Sequence, residues 1–357
     1  MTNIGQPIGP FKLLHLPNDP HLDNPATRQS GPRDAFERLQ SEGILSSYET
    51  ILFLAEYRQS RDAKGIQRTI LDSVAKMQPD IIYWHHISEF PVDQVFMDRL
   101  REVSERSLLV YHEGDPFGRF RHPISSQMRV ILSNADLVFS VGLGFLAEVL
   151  RKGGAKDLRH LPHVYDARRF GHGWDYTHNR AYKVSMIASN WPGRMPGMYM
   201  PGGRKRAALA KKMTDVFGTD FALYGRGWSN LVSARGTVPF DQQEAAIRNS
   251  WVTVNWDHFD EYAYYFSDRL PISLAAGVPH VTTYHRGYED IFVGCPGLYF
   301  ARSVDEMVAK VDWLLSKTQT QLSEEGRAAH EWIKAKLEAD VVFRHSIEIC
   351  AEKIANR

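Results

Sequence analysis

What this sequence lacks narrows the field before any motif does. Its 357 residues include two cysteines, Cys295 and Cys350, far apart and without a Cys-x-x-Cys pair, so a disulfide scaffold and a structural zinc are not expected and a reducing compartment is. Neither sign of charge dominates, since 43 Lys and Arg stand against 42 Asp and Glu for a net of +1. That excludes the broad basic face of a nucleic-acid binder, and no nucleic-acid partner is expected. No stretch approaches the roughly 18 apolar residues of a membrane span. The N-terminus, "MTNIGQPIGPFKLLHLPND", has no basic segment followed by a long apolar run. The expectation is a cytoplasmic protein, with peripheral membrane contact left open. Repeats, low-complexity tracts and clusters with metal-ligand spacing are also missing.

What is present is an alternation of short apolar strands and amphipathic helices, in a chain long enough for two domains. In the first half, Phe11 to Leu16, Asp80 to Trp84, Ser107 to Tyr111 and Leu137 to Val141 have strand character, and Tyr48 to Tyr57 is a strand or apolar segment. Helical periodicity marks Ile66 to Met77, Gln94 to Ser104, Ser125 to Ser133 and Phe145 to Lys152. Between Leu161 and Lys183 the text "LPHVYDARRFGHGWDYTHNRAYK" keeps neither period and is taken as the connection between domains. A second series follows. Strands are expected at Lys183 to Ala188, Phe221 to Tyr224, Val252 to Trp256, His280 to Thr283 and Leu298 to Phe300. Helices are expected at Lys205 to Phe217, Asp241 to Asn249, Asp268 to Ala276, Val304 to Ser316 and Ser323 to Ala351. Right-handed crossovers turn such a series into parallel sheets covered on both faces, with ligands beyond the carboxyl ends of the strands. The fold class is therefore α/β, with two Rossmann-like doubly wound domains, residues 1–172 and 173–357, facing a central cleft.

One stretch concentrates the chemistry: "YYFSDRLPISLAAGVPHV", Tyr264 to Val281. Ser267 has the character of a helix N-cap, Asp268 puts negative charge in the first turn, and Pro271 is tolerated where amides have no intrahelical partner. Gly277 and Pro279 stop the helix. Asp268 and Arg269 thus sit at a helix start, a place that suits anions. The plain alternative is a capping acid beside an exposed arginine.

The wider text resembles GT-B glycosyltransferases, most closely the CgeB-like (spore-protein) group, which is related to family 4 type glycosyltransferases. The matching residues are "LYGRGW" (Leu223 to Trp228), "AIRNSWVTVNW" (Ala246 to Trp256), "SDRLPISLAAGVPHVTTYHRGYEDIF" (Ser267 to Phe292) and "LYFARSVDEMVAKV" (Leu298 to Val311). "LPHVYDARRF" resembles the segment that closes the first domain in these enzymes; "YHEGDP" and "NADLVFSVG" match more weakly. The resemblance implies a nucleotide-diphosphate sugar donor held by the second domain, and a glycan, lipid-linked or small-molecule acceptor held by the first. It also implies a last helix, from about residue 335, that packs back toward the first domain. This fold commonly works without a metal, so neither a metal nor a cofactor is expected beyond the co-substrate itself. One departure is plain. Family 4 members carry two glutamates around the "AAGVP" helix, and the corresponding positions here hold Tyr264 and Ile272. Asp268 and Arg269 instead resemble the Glu-Lys pair of fucosyltransferases, where the acid meets ribose and the cation meets diphosphate.

Candidate donor-binding residues are accordingly Ser267, Asp268, Arg269, Arg206, Arg226 between Gly225 and Gly227, and Tyr265, with Arg194 and Tyr262 behind them. Gly-x-Gly here is not the dinucleotide fingerprint; its place after a strand is what raises Arg226. The loop Trp191 to Gly203 is expected to close over donor. Candidate catalytic residues are Asp115, His112 and Glu113, after the strand "LLVY", with His85 and His86 after "IIYW". Each histidine has packing as an equal alternative, and stereochemistry is left undecided. Rival functions are a nucleotide-sugar epimerase or hydrolase of the same fold, and a non-catalytic nucleotide-sugar-binding protein.

Overall fold

A computed structural model describes residues 9–22, 30–119, 122–172, 179–190 and 199–357. The chain divides into two compact units, Met1–Pro162 with Ala339–Arg357, and His163–Glu338.

The first unit runs β1 (Phe11–Leu16), α1 (Ser30–Ser41), β2 (Leu45–Thr50), α2 (Phe53–Ser60), α3 (Ala63–Met77) and β3 (Ile81–His85). It continues with α4 (Gln94–Val103), β4 (Leu108–Glu113), α5 (Ser126–Asn134), β5 (Leu137–Ser140), α6 (Phe145–Lys152) and β6 (Leu158–His160). Its six strands lie parallel in the order β2-β1-β3-β4-β5-β6. The central strands β3, "IIYWH", and β4, "LLVYHE", are buried at every residue, as a parallel sheet covered on both faces requires. Asp62, Asp93 and Ser125 each accept a backbone N–H in the first turn of the helix they precede, which fixes where α3, α4 and α5 begin.

The second unit runs β7 (Tyr182–Ile187), α7 (Gly203–Phe217), β8 (Phe221–Tyr224), α8 (Gln243–Arg248), β9 (Ser250–Asn255), α9 (Arg269–Ala275) and β10 (His280–Thr283). After these come α10 (Tyr288–Ile291), β11 (Leu298–Ala301), α11 (Val304–Leu315) and α12 (Gln319–Leu337). Its sheet is parallel in the order β11-β10-β9-β7-β8. The chain leaves β7 toward β8 on one side and β9 on the other, so the topological switch point lies between β7 and β9. Among the described residues no helix is long and apolar enough to cross a membrane.

The structure revises several sequence expectations. Tyr48 to Tyr57 is the end of one strand and the start of a helix, because Ile51 and Leu52 turn the chain between β2 and α2. Helix α1, strand β6 and helix α10 were not foreseen from sequence. The long helix expected over Ser323 to Ala351 is two, α12 and α13 (Ala339–Ala355). No glycine or proline marks the break. Glu338 is extended there (φ −63°, ψ 142°) because Tyr165 pairs with it, its N–H bonding Leu337 O at 3.2 Å. The same contact explains why the division falls at Pro162 and not at 172: Tyr165 and Phe170 are buried, Phe170 packs on Phe240 and Gly171 donates to Glu244, all within the second unit.

Helix α13 belongs to the first unit, where Phe343 fills the space above the strand ends. Its ring meets Phe36 at 5.4 Å, His85 and His112 at 5.9 Å and Tyr83 at 6.2 Å. Removing so buried a ring leaves a cavity, so Phe343→Ala is expected to cost about 3–5 kcal/mol. Hydrogen exchange during a urea titration checks it: amides of β3 and β4 lose protection early while those of β9 keep theirs, and equal protection in both proteins would refute the packing.

Candidate functional site

At the carboxyl ends of β7 and β9, two arginines from different helices are braced on main-chain carbonyls. Arg206, in the first turn of α7 and 4% exposed, donates through Nε to Trp256 O at 2.6 Å and through Nη1 to Ser189 O at 3.4 Å. Arg269, the first residue of α9, donates through Nε to Ile187 O at 2.6 Å and through Nη1 to Asp268 Oδ1 at 3.3 Å. Both hydrogen bonds of Arg206 among the described residues go to carbonyls, so its charge is met only at a distance, by Asp257. Burial, then the like charge of Arg269, lowers Arg206 to about 10, which leaves it cationic at neutral pH.

Sequence and electrostatics conflict at the start of α7 in an informative way. A helix N-terminus carries partial positive charge and favours acids. This one opens with Gly-Arg-Lys-Arg, has no acid in its first turn and no side-chain cap. Lys205 is held by Asp260, but positive charge still accumulates where it is least favoured without an anion.

Beneath the arginines lies a buried polar frame. Asp257, 1% exposed, faces His285 Nε2 at 3.2 Å, while His285 Nδ1 donates to Tyr262 O at 2.7 Å. Burial would raise the Asp257 carboxyl, but the His285 hydrogen bond, with Arg206 behind it, brings it down to about 2. Asn255 Nδ2 donates to Asp257 Oδ1 at 2.7 Å and to Ser267 Oγ at 3.3 Å. Ser267 is therefore tied into this frame and is not the N-cap of α9. The cap position falls on Asp268, which has helical dihedrals and makes no capping bond, so its carboxylate stays 43% exposed. Asn255 Oδ1 and His258 Nδ1 are buried polar atoms with no partner among the described residues.

The other donor-site candidates are placed differently. Gly225 (φ +129°) and Gly227 (φ +85°) are demanded by a close backbone approach: a Cβ would lie 2.2 Å from Ala188 O in one and 2.8 Å from Asn190 O in the other. They hold the loop after β7 against the loop after β8, and Arg226 is exposed between them. Tyr262 and Tyr265 are buried, Tyr262 against Phe259 and Tyr265 against His285, which places their rings in the frame and not on an open stacking face. Arg194 and most of the loop Trp191 to Gly203 lie outside the described residues.

In the first unit, the ends of β3 and β4 bring together His86, Glu113 and Asp115. Glu113 is fully buried; its Oε2 accepts from Tyr111 OH at 2.8 Å and faces His86 Nδ1 at 2.9 Å, and its Oε1 accepts Asp115 N–H at 2.8 Å. Asp115 is 56% exposed, with Oδ2 3.9 Å from His86 Nε2. Burial opposes charge on this ring, but Glu113 and Asp115 outweigh it and raise His86 to about 9. His112 takes another direction. Its ring packs on His85 at 4.9 Å and its Nδ1 lies 3.5 Å from Tyr83 OH, inside the core. His85 Nδ1 in turn meets His15 Nε2 at 2.8 Å.

Comparison with known proteins supplies the fold's relatives. Residues 204–348 match a family model described as glycosyl transferase-like. No curated protein sequence matches the chain. Among solved structures, sucrose-phosphate synthase from Thermosynechococcus elongatus superposes with a TM-score of 0.62 at 11% identity, over 97% of this chain and 100% of that one. HepE from Anabaena, solved with UDP and glucose, gives 0.57 at 12% identity, over 95% and 99%. A glycosyltransferase from Rickettsia africae gives 0.58 at 11% identity, over 97% and 99%. The chain has the GT-B fold. Identities this low carry the fold alone; function rests on the residues.

Sequence reasoning missed Asp257, His285 and Asn255, and ranked His86 below His112. The available signal was "VNWDH", where a strand ends in consecutive polar residues, but its aromatic surroundings pointed to packing. One consequence is measurable. Burial lowers His280 to about 4, and burial with Arg206 and Arg269 lowers His258 to about 3, both from 6.5. Between pH 6.5 and 4 the unfolded chain binds protons that the folded histidines refuse, so stability falls as pH falls; above 6.5 the effect is absent. For His280 alone the loss is on the order of 3 kcal/mol. Melting temperature compared at pH 7 and pH 5 should drop less in His280→Gln than in the wild type, and an identical drop would remove His280 from the account.

Proposed function

We propose that the second unit binds a nucleotide-diphosphate sugar and that the protein is a glycosyltransferase, delivering that sugar to a hydroxyl on a glycan, lipid-linked or small-molecule acceptor. The observation that carries this reading is the pair of carbonyl-braced guanidiniums, Arg206 and Arg269, at the β7/β9 switch point beside the acid-free start of α7. Open α/β sheets bind ligands at that point. A diphosphate matches its charge, and as a leaving group it gains charge in the transition state, where fixed cationic donors act most strongly. Arginine also offers the planar fork that suits phosphate oxygens. Donor binding is then satisfied by guanidiniums, without requiring a divalent ion at the phosphates.

Asp268 has an exposed carboxylate beside Arg269 and is assigned to the ribose hydroxyls. Ser267 and Tyr265 hold the turn that presents both, and Arg226 with its flanking Gly225 and Gly227 edges the same strand mouths. HepE, solved with UDP and glucose, supports this class of ligand by its likeness in fold. Acceptor chemistry is assigned to the first unit, with Asp115 as the accessible carboxylate, Glu113 as its buried anchor and His112 in the supporting core.

A thermal-shift panel of UDP, GDP, TDP, CMP and their sugars tests the donor half, because selective binding raises the melting temperature. One nucleotide is expected to stabilise the wild type and to lose its effect in the Asp268→Ala, Arg269→Ala double variant. Arg269→Ala alone should weaken binding by about 10- to 100-fold, the value of charged hydrogen bonds of about 1.5–3 kcal/mol. Failure of every nucleoside diphosphate to bind at millimolar concentration sinks the reading. Binding without acceptor-dependent product would leave a nucleotide-sugar-binding protein.

A further inference from the structure

We propose that His86 and Asp115 form a divalent-metal site on the first unit, with Glu113 as the outer carboxylate that orients the histidine. This inference does not rest on the donor-binding reading; it concerns the ends of β3 and β4, the residues to which acceptor chemistry is assigned, and stands on their geometry alone. Ligand atoms of the three residues all lie within 4.8 Å of one another, the only such group among the described residues.

The roles follow from hydrogen-bond accounting. Glu113 has both oxygens engaged from inside the protein, by Tyr111 OH, His86 Nδ1 and Asp115 N–H, so it is a fixed base for the site. The acceptor at 2.9 Å keeps a proton on Nδ1, so an ion binding this ring takes Nε2 and releases the proton that Nε2 otherwise carries. Metal-bound histidines are held in this way, by a buried carboxylate behind the ring. The Asp115 main chain is pinned by the same Glu113, which aims its carboxylate back toward the ring. Nε2 and Asp115 Oδ2 stand 3.9 Å apart, too far for a hydrogen bond and within the span of two ligands at about 2.0–2.2 Å from one ion. Asp115 is 56% exposed, so ions enter freely and water completes the coordination.

One imidazole and one carboxylate favour a borderline transition ion such as Zn²⁺ over Mg²⁺ or Ca²⁺, which prefer all-oxygen shells. With water in its remaining positions the ion would be open to an incoming oxygen ligand. The sequence concealed the site because its parts follow two different strands: His86 and the carboxylate that orients it, Glu113, are 27 residues apart, without the short spacing of a metal motif.

The test is calorimetric titration of the full chain, first stripped with chelator, with zinc chloride and no nucleotide present. The wild type is expected to bind one ion. His86→Ala should abolish binding, Asp115→Asn should weaken it at least tenfold, and Glu113→Gln should weaken it by about 10- to 100-fold. Because Glu113 is buried, Asp115→Asn at the exposed position is the variant that keeps the test valid if Glu113→Gln unfolds. No uptake by the wild type at millimolar zinc, or unchanged uptake by His86→Ala or Asp115→Asn, overturns the proposal. Nucleotide binding measured in chelator reports on the transfer reading separately.

Discussion

The second unit is organised around a buried cation. Taking a guanidinium out of water costs several kcal/mol, and the structure offsets that cost for Arg206 with the carbonyls of Trp256 and Ser189 and the nearby charge of Asp257. These three groups belong to the loops after β7 and β9, so one side chain helps fix where both loops run. His285, Asn255 and Ser267 then hold Asp257 in place, and Ser267 leads directly into Asp268 and Arg269. The turn that presents the exposed acid and the second guanidinium is thus set by hydrogen bonds that run from Asp257 through Asn255 to Ser267, with the charge of Arg206 beside them.

The two units share a plan and use it differently. Each places its first strand in the middle, with its next two strands on opposite sides, which opens a crevice at the strand ends. In the second unit that crevice is bordered by arginines. In the first, His15 and His85 meet across it at 2.8 Å and Phe343 packs on His85. Burial keeps both histidines uncharged, lowering each well below its ordinary value. The polar groups that reach the surface are displaced to the next pair of strands, β3 and β4, where His86 and exposed Asp115 meet over buried Glu113.

Much of this was legible in the sequence, for identifiable reasons. Strands such as Phe221–Tyr224 and His280–Thr283 carry β-branched or aromatic runs bounded by turn residues, and their limits follow from composition. Asp268 and Arg269 could be singled out because a helix start is a local feature, and Arg206 through its resemblance to a phosphate-binding arginine of related enzymes. What stayed hidden depends on contacts distant in sequence. The break at Glu338 comes from pairing with Tyr165, and the capping role expected of Ser267 is pre-empted by Asn255. Asp257 and His285, 28 residues apart, become partners only once β9 and β10 lie side by side.

Helix α13 gives the first unit a property that its own sheet would not. Residues 11–160 supply all of its strands, yet the ring that closes its core, Phe343, follows the whole of the second unit in the chain. During synthesis the second unit, which is continuous, can fold as soon as it emerges, while the first waits with Phe36, Tyr83 and the ends of β3 and β4 uncovered. Order of synthesis and order of completion are therefore reversed. For that interval the earlier-made half depends on its own partial core, and on whatever shields it, until the last helix arrives.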